Sequence, residues 1–275
     1  MIKIKNDNEI ELMRQGGKIL ASVLFEVAKI ARPGVSTAEL DEAAENLLFQ
    51  KGARPAFKGF NGYPASLCAS INEQIVHALP SDRKLKEGDI VGLDLGAFFP
   101  SERCGVCLMA SGCSSPQIFK KNLGEQGMHT DMAITVPVGK VSAEAEKLIK
   151  AAEGALKAAI EVIKPGRKLS DVSRAIQKYV EIAGFSVIRD LVGHGIGYEL
   201  HEEPVVPNFY SYDFKDIILT EGMTLALEPM ISAGRHQIKK SRDGHGYETK
   251  DKSLTAHFEH TVAVTKNGCE VLTKL

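Results

Sequence analysis

The chain has 275 residues, 44% hydrophobic and 25% charged, with 34 basic side chains against 35 acidic ones. That length provides one large domain or two small ones, and the near-zero charge offers no basic surface to nucleic acid. No apolar run approaches the roughly 20 residues of a membrane helix, the opening MIKIKNDNEIELMRQGGKILASVL has no signal-peptide cleavage site, and an odd count of five cysteines fits a reducing, cytoplasmic setting.

The first predicted helix runs near 7–31 and stops at the Pro33-Gly34 turn. A second, near 36–51, starts at Ser36-Thr37 and ends at Gly52. PAFKGFNGYPASLCASIN, residues 55–72, gathers Phe57, Phe60, Tyr63 and Cys68, which read either as ordinary core or as an apolar pocket. A Glu87-Gly88 turn then opens the apolar strand EGDIVGLDLG, which carries Asp94, and HTDMAITV (129–136) carries Asp131. Helices are predicted near 142–163 and 169–184, with the Pro165-Gly166 turn between them. VGHGIGYELHEEP (192–204) sets His194 among glycines, where backbone can approach a ligand closely, and His201 follows. The last strands are TLALEPM with Glu228 and FEHTVAVT with Glu259.

The chain is faintly written twice. Residues 29–52 align with 161–184, Pro33-Gly34 falling on Pro165-Gly166 and Gly52 on Gly184. EGDIVGLDLG aligns with EGMTLALEPM, so that Asp94 and Glu228 both fall six residues after the turn glycine. A looser match sets Asp131 opposite Glu259. Ordered matches of this kind predict an α+β unit of two pseudo-symmetric halves, about 1–138 and 139–275, each with antiparallel strands covered by helices.

Four carboxylates on such apolar strands need a positive partner, because buried Asp and Glu are rare unless paired or bound to metal. No lysine or arginine lies within these runs. Divalent cations are the better account, since carboxylates are their natural ligands. A lone histidine is more often structural than catalytic, but the glycines around His194 favour it as a further ligand. His77, in SINEQIVHALP, and His201 read as acid–base or hydrogen-bonding groups facing a substrate.

On the phrases GLDLG, HTDMAITV, GHGIG, HEEP, LALEPM and FEHTVAV the sequence resembles the methionine aminopeptidases, in their short type I form with the pita-bread fold. The resemblance implies that Asp94, Asp131, His194, Glu228 and Glu259 bind two divalent ions (Co, Mn, Fe, Zn or Ni). It implies that Glu228 is the general base toward an activated water, with His77 and His201 assisting at the peptide. It maps the methionine pocket onto Phe57, Phe60, Tyr63 and Cys68, with Leu200 beside His201. The expected activity is removal of initiator methionine from nascent polypeptides at the ribosome, by a monomer.

The chain departs from that pattern in three places. Asp94 and Asp131 stand 37 residues apart, and the excess, about 100–126, holds Cys104, Cys107 and Cys113. This insert reads as a solvent-exposed loop, with half a zinc knuckle or a redox pair as the alternatives. There is no tryptophan for the stretch before Glu259, and His257 stands where many relatives carry glutamine. Two other functions remain open: a proline-specific peptidase, and a non-catalytic binding protein on the same fold.

Overall fold

In the computed structural model, residues 1–100 and 127–275 are described. Helix α1 (Asp7–Ile30) starts at an Asn6 cap whose side chain accepts from the Asn8 and Glu9 amides, while Glu9 returns a bond to the Asn6 amide. These pairings satisfy amides that a helix start otherwise leaves unbonded. The inward stripe of α1 includes Met13, Leu20, Leu24 and Val27, all fully buried, each contributing about 1.5–3 kcal/mol by leaving water. Gly17 sits on the same stripe because a Cβ there would stand 2.4 Å from the Leu272 carbonyl. Helix α2 (Thr37–Gln50) repeats the start with Ser36 and Glu39.

Helices α3 (Ala143–Val162) and α4 (Leu169–Ile182) pack on one another and on the other half of the same sheet face. The four predicted helices are all present among the described residues. The fourth ends at Ile182 rather than 184, because Gly184 takes a left-handed φ of 85° just beyond.

Among the described residues the large sheet has nine strands, every pairing antiparallel. Its main path runs β1 (Arg54–Pro55), β3 (Ile90–Pro100), β4 (Gly127–Pro137), β13 (Glu259–Thr265), β8 (Thr224–Leu227), β6 (Val192–Gly195) and β7 (Glu202–Pro207). Strand β2 (Leu67–Ile71) adds to β3, and β14 (Gly268–Val271) to β13. A smaller sheet orders β12 (Thr255–His257), β9 (Met230–Ser232) and β5 (Ser186–Val187), and β10 (Ile238–Lys240) pairs with β11 (Tyr247–Thr249). One core cluster lies under α1 and α2 and another under α3 and α4. Strands β3–β4 and β8–β13 thus form two antiparallel pairs that meet along β4–β13. Across this seam Ala133 stands opposite Asp94 on one side and Glu259 on the other. Of the insert expected at about 100–126, residues 101–126 with Cys104, Cys107 and Cys113 lie outside the described residues.

Candidate metal centre

Directly opposed residues of an antiparallel ladder point to the same face. The seam therefore delivers Asp94 and Glu259 to one side of the sheet. Gly96 opposes Asp131 two pairs further along, on the same face, and Glu228 follows the end of β8. Short bonds fix these backbones. Thr261 Oγ1 accepts from the Asp131 amide (2.8 Å) and donates to its carbonyl (2.9 Å). Asn208 Nδ2 donates to the Glu228 carbonyl at 3.0 Å.

His194 reaches the same place from β6, where the flanking glycines are needed for close approach. A Cβ on Gly193 would sit 2.4 Å from the Ala226 carbonyl, and one on Gly195 would sit 2.2 Å from that of Glu203. His194 Nδ1 lies 2.9 Å from the Gly195 carbonyl oxygen, which can only accept. The proton therefore resides on Nδ1, and Nε2 keeps a free lone pair. That Nε2 lies 3.6 Å from Glu228 Oε1. One ligand atom each from Asp131, His194 and Glu259 falls within 4.8 Å of the others.

The electrostatics of this cluster are lopsided. Asp94, Asp131 and Glu259 are 7%, 3% and 3% exposed. Burial raises the Asp94 carboxyl to about 7. Burial first, and the neighbouring negative charges second, hold Asp131, Glu228 and Glu259 well above the usual carboxylate range. Burial also pushes His194 and His257 down to about 3 and His201 to about 4, so the imidazoles are neutral and cannot balance the carboxylates. No lysine or arginine pairs with any of the four among the described residues. Asp94 Oδ1 and Glu259 Oε1 are buried without a hydrogen-bond partner. Orphaned carboxylate oxygens, converging beside an imidazole lone pair, are the donor set a divalent cation requires.

The cluster forms the floor of a cavity of about 200 Å³. Every site residue named from the sequence lines it: Phe57, Phe60, Tyr63, Cys68, His77, Asp94, Asp131, His194, Leu200, His201, Glu228 and Glu259. The His201 ring stacks obliquely on His194 with centroids 4.2 Å apart and meets Phe60 edge-on at 5.0 Å. Its neighbour Glu202 is anchored by the buried Lys5 ammonium, which ties the loop to the N-terminal segment. His77 adopts a left-handed φ of 58°, a conformation that non-glycine residues rarely take and that often marks a functional turn. Tyr63 Oη lies 3.1 Å from the Leu67 and Ala78 carbonyls, so its ring is fixed as a wall.

Two lining residues were not anticipated, Asn61 and His245. Asn61, left-handed at φ 47° before Gly62, lies inside the aromatic run and carried a turn signal of its own. His245 comes from the polar stretch between β10 and β11, where Asp243 accepts from the Leu79 amide at 3.4 Å and ties the two loops together. Only tertiary pairing brings it to the cavity.

Comparison with known proteins matches residues 11–108 and 123–266 to the profile of metallopeptidase family M24. A methionine aminopeptidase of Clostridium perfringens is 45% identical over 273 residues, 99% of each chain. The chain belongs to the methionine aminopeptidase group of family M24. The crystal structure of the methionine aminopeptidase from Thermotoga maritima covers all of both chains with a TM-score of 0.87 at 40% identity, which makes the fold that of the pita-bread enzymes. A prolidase from Pyrococcus horikoshii shares the fold, with a TM-score of 0.73 at 22% identity, over 98% of this chain and 63% of its own. The family match breaks at 109–122, inside the segment set apart as an insert. No helix among the described residues is long and apolar enough to cross a membrane.

Proposed function

We propose that this cavity removes the initiator methionine from nascent polypeptides, with a small residue following it. The observation that carries the proposal is the Asp131–His194–Glu259 cluster on the floor of a cavity walled by Phe57, Phe60, Tyr63 and Cys68. The proposed ligands are Asp94, Asp131, His194, Glu228 and Glu259, holding two divalent ions drawn from Mn, Fe, Co, Zn or Ni. The chain acts as one catalytic unit of two related halves, about 1–138 and 139–275. This reading is supported by the matching strand pairs β3–β4 and β8–β13. The proposed setting is a cytoplasmic monomer working on chains at the ribosome.

Bound there, the ions would polarise the scissile carbonyl and lower the pKa of an attacking water. The remaining work belongs to side chains. Phe57, Phe60, Tyr63 and Cys68 enclose the methionine side chain and exclude water from it. Glu228, buried among the carboxylates, accepts the proton of the attacking water and passes it to the departing nitrogen. His201, neutral and beside His194, can donate to the carbonyl oxygen as it becomes negative, and His77 can assist at the peptide nitrogen.

Assay of Met-Ala-Ser and Met-Lys-Ser peptides with Mn(II), Co(II) or Fe(II) tests this. Methionine should be released from the first and not from the second. No release with any metal would overturn the reading. Cleavage of X-Pro peptides instead would establish the proline-specific alternative, and absence of bound metal would favour the binding protein.

A further inference from the structure

His257 belongs to none of the groups assigned so far, yet it is 3% exposed and lies beside the metal centre. Its position is fixed twice over. The ladder between β12 and β9 sets it opposite Met230, two residues past Glu228. Its backbone amide donates to Thr135 Oγ1 at 2.9 Å, and its carbonyl accepts from the same hydroxyl at 2.8 Å.

The ring nitrogen Nε2 is buried and has no hydrogen-bond partner. It faces two carboxylates, Glu228 Oε2 at 3.8 Å and Glu259 Oε2 at 3.7 Å. The oxygens of Glu228 are thus divided, Oε1 toward His194 and Oε2 toward His257. Those of Glu259 divide likewise, with Oε2 toward His257 and Oε1 left unpaired. A buried polar atom without a partner costs about 1–3 kcal/mol, and a proton on this nitrogen would find an acceptor after a small rotation of either glutamate.

We infer that His257 is a positioning residue whose Nε2–H is shared by the Glu228 and Glu259 carboxylates, engaging one oxygen of each so that the other turns to the cations. The inference rests on the metal-centre reading. Hydrogen-bonded supports of ligating carboxylates of this kind typically govern metal affinity by 10- to 100-fold.

The test uses the full chain, stripped by chelation and titrated with Mn(II) in a calorimeter, as wild type, His257→Gln and His257→Leu. Leucine removes the donor at similar volume, whereas glutamine keeps an N–H. The leucine variant should bind Mn(II) about 10- to 100-fold more weakly, and the glutamine variant should recover to within about three-fold. Leucine within two-fold of wild type, or glutamine as weak as leucine, would overturn the inference. A second measurement needs no variant to fold well: 15N NMR of the zinc-loaded wild type should show the His257 proton on Nε2. A bare or metal-bound Nε2 would also overturn it. Failure of the wild type to bind any divalent ion would instead remove the metal-centre reading itself.

Discussion

The floor and the wall of the cavity are built on opposite principles. The floor gathers four carboxylates, three of them buried, from β3, β4, β13 and the end of β8, on both sides of the seam, into mutual repulsion. The wall comes mostly from one stretch, Phe57 to Cys68, and is packed as any core is packed. The floor is unfavourable on its own and is held by the fold around it. The wall is favourable on its own and only its shape matters for substrate. Function therefore resides where the local energetics are worst.

The largest effect separating the two should come from the floor. His194→Ala or Glu259→Ala should abolish measurable cleavage and reduce bound metal, read by peptide assay and elemental analysis. Retention of full metal content would break the contrast. His201→Ala should lower kcat by roughly 10²–10⁴-fold, as for a lost acid–base or hydrogen-bonding group, with metal content unchanged. Lys5→Met should destabilise the chain by about 1–3 kcal/mol in urea unfolding, because it leaves the Glu202 carboxylate with only the Lys3 ammonium at 3.9 Å and the Glu199 amide. Phe60→Ala, in the wall, should raise KM for Met-Ala-Ser more than it lowers kcat.

The smallest and most diagnostic effect is one of pH. Carboxylates whose pKa is raised on folding bind extra protons in the native state, so the stability of the metal-free chain should fall as pH rises through the folded value. Asp94, at about 7 in the fold against about 3.9 unfolded, places its share of this decline between about pH 4 and 7. Over most of that window, below about pH 6.5, the buried neutral histidines oppose it, because folding lowers their pKa and acid then favours unfolding. Cations neutralise the floor, so the loaded protein should show a flat melting temperature across the same window. A parallel decline with metal bound would mean that the carboxylates are not its ligands.

Much of this was legible in the chain before the fold. Asp94 and Glu228 declare themselves because each interrupts a strand with no other reason to carry charge. His194 does so through glycines whose role is now explicit in the approach of β6 to its neighbours. The wall was harder to read, since Phe57, Phe60 and Tyr63 look the same in a core and in a pocket until the cavity beside them is seen. His245 could not be found locally. It is delivered by the three-residue strands β10 and β11, in a polar stretch without clear periodicity. His257 could be noticed as an odd residue, but its unpaired nitrogen exists only in the folded chain.

Ala133, with Asp94 across one rung and Glu259 across the next, turns the sheet into a ruler. Two strand spacings of roughly 4.8 Å fix the separation of those two acidic residues, and no surface substitution can stretch a hydrogen-bonded lattice. Only side-chain length remains adjustable. Exchanging Asp94 for glutamate, or Glu259 for aspartate, shifts a carboxylate by one carbon–carbon bond, about 1.5 Å. The choice between the two acids at each rung thus sets how far apart the two carboxylates can stand.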